Sequence, residues 1–187
     1  STASWMMQPD IERHAAAEAV RHDMRLSARD RVLVEAFDAY SRGAADSAEK
    51  LATTITQTYD AIEGWVLLGE VLYHHNWKRG RSLVESRPAW KRVLALDSAY
   101  WPALQHLAEV AAIDGRTAEA DSLLARYERS VGTAHMMVAS RAMRAYAYGD
   151  AESRASIEPE LATDRGFWLT LSVWYVAVPG RDQDDAR

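Results

Sequence analysis

The residues best equipped for chemistry sit in one short stretch, Trp77-Lys78-Arg79-Gly80-Arg81. A large aromatic beside three cations could clamp an anionic peptide or a phosphate, through stacking and charge-assisted hydrogen bonds. The competing reading folds Trp77 back onto the protein and leaves the cations in solvent, as charge runs usually are. Just upstream, His74 and His75 are adjacent. Helical neighbours point about 100° apart, so these two do not readily share a metal. His14 and His22 are eight residues apart, too far along a helix for one ion. Neither a histidine pair at i, i+4 nor His-Glu-x-x-His occurs. With no cysteine in the chain, thiolate metal sites, thiol nucleophiles and disulfides are excluded. No Gly-x-Ser-x-Gly elbow is present. The 27 carboxylates scatter over the sequence, and a catalytic acid–base pair among them would need a closed, desolvated pocket. We therefore expect no catalytic residue, no metal and no cofactor, and a protein that is not an enzyme.

Composition sets the scaffold that must position these residues. Apolar residues make up 48% of 187 and charged residues 26%, enough for a substantial core. Only 5 prolines and 9 glycines interrupt the chain, and alternating β-branched runs are rare, so helices are expected rather than sheet. The net charge of −5 gives no field favouring nucleic acid. No apolar run approaches the roughly 18–20 residues needed to cross a bilayer, so no membrane insertion is expected. The first residues, Ser1-Thr-Ala-Ser-Trp-Met-Met7, lack the charged and apolar regions of a signal peptide, and a cytoplasmic location is the expectation.

The apolar pattern repeats. Leu104, Leu107, Ala108 and Ala111 share one helical face; Asp114-Gly115-Arg116 is a stop; Ala120, Leu123, Leu124 and Tyr127 share the face of a following helix. Gly149 lies 34 residues after Gly115, Gly43 marks the same turn upstream, and Gly180 offers another. The periodicity predicts ten helices, near 9–25, 28–42, 44–58, 61–75, 86–96, 100–113, 116–130, 133–148, 151–162 and 164–178. Ser27 and Asp30 form a cap for the second helix, and Pro88 fits only a first turn. Between Gly43 and Gly115 a longer loop, His74 to Arg87, replaces the turn.

Gly64-Trp65-Val-Leu-Leu68-Gly69-Glu-Val-Leu72 resembles the tetratricopeptide (TPR) pattern W-x2-L-G-x2-Y, with Leu72 in place of the tyrosine. Trp90 stands where such a repeat has a large aromatic. The resemblance implies an all-α, right-handed superhelix of antiparallel helix pairs, about four repeats plus partial ends. It would be one domain over 1–187, with units near 26–59, 60–97, 98–131 and 132–163. Residues 26–150 are also similar to TPR-like regions C-terminal to bacterial serine/threonine protein kinases and related regulators. Ser98 departs from the pattern by replacing the proline common at a repeat end. No kinase motif is present. The unpaired first helix and the turn at Gly180 read as a segment of a longer array.

The resemblance also implies a function. First helices of stacked pairs line a concave groove, which would bring Tyr40, Tyr73 and Tyr146 to equivalent positions, with Met136, Met143 and Trp174 nearby. Aromatic and methionine side chains are adaptable anchors for a partner, although apolar residues at helical spacing usually belong to the core. Glu63 and Glu70 could face the groove and meet a basic ligand. The expected function is a non-catalytic module binding a protein or peptide in a bacterial signalling or regulatory protein. The alternative is a domain that senses a small anion through Trp77, Lys78, Arg79 and Arg81.

Overall fold

Helices are what forms. The structure, a computed structural model, describes residues 9–131 and 134–162, and it contains nine α-helices and no strand among those residues. They are α1 (Pro9–Arg21), α2 (Ala28–Ser41), α3 (Ala45–Tyr59), α4 (Ile62–His75), α5 (Arg87–Leu96), α6 (Trp101–Ile113), α7 (Thr117–Val131), α8 (Ala134–Tyr148) and α9 (Ala151–Leu161). Short 3₁₀ turns cover Asp23–Arg25, Asn76–Arg79 and Leu83–Ser86. The first helix is shorter than its apolar pattern suggests. It stops at Arg21, and a short 3₁₀ turn, Asp23–Arg25, follows. The expected helix at 164–178, with Trp174 and Gly180, lies outside the described residues.

Local chemistry explains the helix ends. Ser27 caps α2, its hydroxyl accepting from the Asp30 N–H at 3.1 Å and donating to the Asp30 carboxylate at 2.8 Å. Asp150 caps α9 by accepting from the Ser153 N–H at 2.8 Å. Pro88 sits in the first turn of α5, where its missing N–H costs no bond.

Three reversals share one stop. Gly43, Gly80 and Gly115 adopt φ of +74°, +68° and +70°. After each, an N–H reaches back five residues: Ala44 to Ala39 at 2.8 Å, Arg81 to Asn76 at 2.9 Å and Arg116 to Ala111 at 2.8 Å. This is the Schellman closure, which uses glycine because a left-handed residue with a Cβ is strained. A Cβ at any of the three would meet nothing, so backbone conformation is the reason for glycine there. The intervals are 80 − 43 = 37 and 115 − 80 = 35 residues. The stretch after His75 therefore keeps the turn that the sequence reading replaced with a loop. A 3₁₀ turn extends α4 to Gly80, and the irregular part follows that stop. Gly149 is not among the left-handed glycines.

The chain forms two compact units, residues 1–103 and 104–187. In the first, Ala36 and Ala39 of α2, Ala48, Ala52 and Ile55 of α3, and Leu67 and Val71 of α4 make a buried cluster. Its small residues let helix backbones come close. Two glycines carry this furthest. A Cβ on Gly64 would lie 2.6 Å from the Ile55 side chain of α3, and one on Gly69 would lie 2.6–2.8 Å from the Trp90 indole of α5. Trp90 is wholly buried. In the second unit, Leu104, Leu107, Ala108 and Ala111 of α6 and Ala120, Leu123, Leu124 and Tyr127 of α7 are buried, as their spacing requires. Ala142, Ala145, Ile157 and Leu161 form a cluster between α8 and α9.

Gly69→Ala is the sharpest test of this packing. Alanine gains about 1 kcal/mol of helix propensity over glycine, but overpacking a core position costs about 1–3 kcal/mol, and the rigid indole ring cannot swing away. The expected outcome is net destabilisation of about 1–2 kcal/mol in urea unfolding. A more stable Gly69→Ala variant would show that Trp90 is not seated on this backbone.

Candidate functional site

Helix α4 carries the densest polar chemistry of the first unit. Glu63 and Glu70 are two turns apart and so share a face. Both reach α2: the Glu63 carboxylate pairs with the Arg29 guanidinium at 3.0 Å, and the Tyr40 hydroxyl donates a long hydrogen bond of 3.5 Å to Glu70. One turn further along α4, His74 Nε2 lies 3.2 Å from Glu70 Oε2, close enough for the two atoms to meet one cation. The Tyr73 ring stands edge-on to His74 with centroids 4.9 Å apart, and Tyr40 edge-on to His75 at 5.2 Å. Burial pushes the His75 imidazole below its usual range, and the charges of Lys78, His74 and Arg79 push it the same way, so it is neutral at pH 7. Burial raises the Tyr100 phenol, and the negative charge of Glu70 and Asp97 raises it further. Glu70, with 16% of its side chain exposed, thus lies beside the Tyr40 phenol and the His74 imidazole.

In the basic stretch after α4, Trp77 does not fold back onto the protein. Trp77 is 63% exposed, with the Lys78 ammonium 5.2 Å from its ring centre. Arg79 and Arg81 turn onto α3 instead of solvent. Arg79 donates to Glu49 at 2.5 Å and Asp46 at 2.9 Å, and Arg81 donates to Glu49 at 2.8 and 3.1 Å. Arg81 also binds Glu85, and these bonds, Glu85 first and Glu49 second, hold its guanidinium charged at any ordinary pH. Beneath them Asn76, wholly buried, donates to the Ser82 carbonyl at 2.9 Å and accepts from Arg79 at 2.5 Å.

Another polar junction ties the same hairpins together. Asp60 ends α3 at φ +46°, a left-handed conformation that aspartate tolerates better than most residues. Its carboxylate accepts from Trp65 Nε1 at 2.6 Å and from the Arg92 guanidinium. Trp65 is thereby used in joining α3 and α4.

The remaining sequence candidates lie in the second unit. Met143 is buried, and Tyr146 is half-buried against the Ala142, Ala145, Ile157 and Leu161 cluster. The Met136 side chain lies outside the described residues. Nearby, Glu128 accepts from Ser140 at 2.7 Å and from Arg144 at 2.6 Å, and Asp121 accepts from Arg144 at 3.0 Å and Tyr148 at 2.7 Å, a seam joining α7 and α8. Of the candidates in the first unit, Tyr40 meets Glu70, Glu63 meets Arg29, Tyr73 meets His74, and Trp77, Lys78, Arg79 and Arg81 share the segment after α4. Sequence reasoning missed Glu49, Asn76 and Asp60. Their partners are local for Asn76 but about thirty residues away for Glu49 and for the Asp60–Arg92 pair, and no spacing rule connects residues so distant.

Compared with protein-family models, curated proteins and solved structures, the chain matches none. No described helix is long and apolar enough to cross a membrane.

The Glu49 clamp has a pH consequence. Burial raises the Glu49 carboxyl, but hydrogen bonds and charge from Arg81 and Arg79 outweigh it and hold it below its usual value of 4.5. A carboxyl lowered on folding stabilises the fold above its unfolded pKa, and this is lost as pH falls through the folded pKa. Between pH 6 and pH 3 the Glu49→Gln variant should lose less stability than the parent, measured by urea midpoints at each pH. Parallel curves for the two proteins would show that the clamp is not formed in solution.

Proposed function

We propose that this chain is a TPR-like helical-repeat module that binds a protein partner and performs no chemistry itself. The observation that carries the reading is the recurrence of one left-handed glycine stop at intervals of 37 and 35 residues, each ending the first helix of a pair. The intervals fall near the roughly 34 residues of a tetratricopeptide unit. The face where α2 and α4 meet, with Tyr40, Glu63, Glu70, Tyr73 and His74, is the proposed contact surface. It combines half-buried aromatics with a fixed acid, the composition of an interface anchor. A bacterial signalling or regulatory protein acting in the cytoplasm is the setting proposed, from the similarity of residues 26–150 to kinase-associated TPR-like regions. Sensing a small anion through Arg79 and Arg81 is less well supported, because the anion would have to displace Glu49 from both.

A photo-crosslinking amino acid in place of Tyr73 should trap a discrete protein partner in cells that express the chain. The same amino acid in place of Thr54, on the exposed side of α3, should not. With the partner in hand, Tyr73→Ala should weaken binding by about tenfold or more, as truncating an aromatic anchor does. Equal trapping from both positions would sink the proposal.

A further inference from the structure

We infer that Trp77 and Lys78 form a docking post for a carboxylate side chain, aspartate or glutamate, carried on an acidic and apolar segment of the partner polypeptide. This rests on the reading of the chain as a protein-binding module, and it names the partner's chemistry at the segment that follows α4.

Three observations support it. First, the post is free. Trp77 is 63% exposed, and Lys78, its ammonium 5.2 Å from the indole ring centre, is exposed beside it. Among the described residues, neither the Trp77 indole N–H nor the Lys78 ammonium has a hydrogen-bond or ion-pair partner. Arg79 and Arg81, the other cations of the stretch, are both held by Glu49. Second, the backbone that carries the post is fixed. Gly80 closes the turn, the Arg81 N–H bonds to the Asn76 carbonyl, and the buried Asn76 side chain binds Ser82 and Arg79. An anchor already held in place loses less freedom on binding. Third, the chemistry is one-sided. An indole N–H and an ammonium donate hydrogen bonds and accept none, so their complement is a pure acceptor, and an ionised carboxylate is one. The single unmatched cation calls for a single negative charge, whereas a phosphate dianion would call on Arg79 or Arg81 as well. The indole ring offers apolar area to a neighbouring side chain of the same segment. Lys78 is also among the charges that push His75 down, so positive charge prevails at the end of α4 although the chain carries −5. Asp46 and Glu85 stand exposed along the same stretch and would repel an anionic bilayer, which favours a short acidic segment over a membrane.

The test follows the Trp77 indole N–H and the Lys78 amide by NMR on the whole chain, with Trp77→Phe to assign the indole signal. The probe is a capped pentapeptide of alternating leucine and glutamate, titrated against the same peptide with glutamine for glutamate. Inorganic phosphate and vesicles containing phosphatidylserine are the other arms. The glutamate peptide should move both signals with a Kd of about 1 mM, and the glutamine peptide should bind at least about tenfold more weakly. Phosphate and vesicles should leave both signals in place. Lys78→Gln should weaken the glutamate peptide about tenfold, and Lys78→Arg, which keeps the charge, should bind it within about threefold of the parent. Trp77→Ala, read at the Lys78 amide, should weaken it about tenfold as well. Equal binding of the glutamine peptide, undiminished binding to Lys78→Gln, or equal shifts with phosphate or vesicles overturns the inference. If a partner is trapped at Tyr73 but its affinity ignores Trp77→Ala and Lys78→Gln, the inference fails and the proposed function stands. If the glutamate peptide binds at Trp77 while no partner is trapped, the function reading fails instead.

Discussion

Helix α4 has no room for a side chain at Gly64 or at Gly69, and the first unit is organised around that fact. Ile55 of α3 presses on one glycine and the Trp90 indole of α5 on the other. The two lie five positions apart along α4, so they face different neighbours. An ordinary helix pair keeps its axes about 8–10 Å apart because Cβ atoms intervene. Removing them allows close approach on two sides, and a buried tryptophan, which costs about 3–5 kcal/mol to truncate, can then be covered completely. The price in helix propensity is about 1 kcal/mol per glycine, smaller than the packing it permits.

Charge is arranged to serve the same framework. Exposed ion pairs contribute little, about 0–1 kcal/mol each, and those along α1 are of this kind. The Glu49, Arg79 and Arg81 group differs because it is partly withdrawn from water and bridges positions some thirty residues apart. With Asn76 buried beneath it, the group holds the segment after α4 in place. Trp77 is left standing outward on that support with Lys78 over its ring. Arg79 and Arg81 thus secure the fold.

A different distribution holds where α2 meets α4. Glu63 pairs with the Arg29 guanidinium, and Glu70 lies against the Tyr40 phenol and the His74 imidazole.

Much of the fold was legible in the sequence. Apolar residues at helical spacing located nine described helices to within a few residues, because burying one stripe of a helix is a local, periodic requirement. Ser27, Pro88, Gly43 and Gly115 announced helix ends, since capping and left-handed turns depend on residues within five positions. The tetratricopeptide-like pattern singled out Trp65 and Gly69, but the reason for Gly69 appeared only when Trp90 was found lying against it. Gly80 looked like part of an irregular loop because the residues around it are basic and aromatic rather than alanine-rich. Tertiary structure alone decided which acids meet which cations. Glu49 with Arg79 and Arg81, Asp60 with Arg92, and Glu70 with Tyr40 each join residues about thirty positions apart. Sequence spacing governs contacts along one helix, while pairings between helices follow from the angles and distances at which those helices pack.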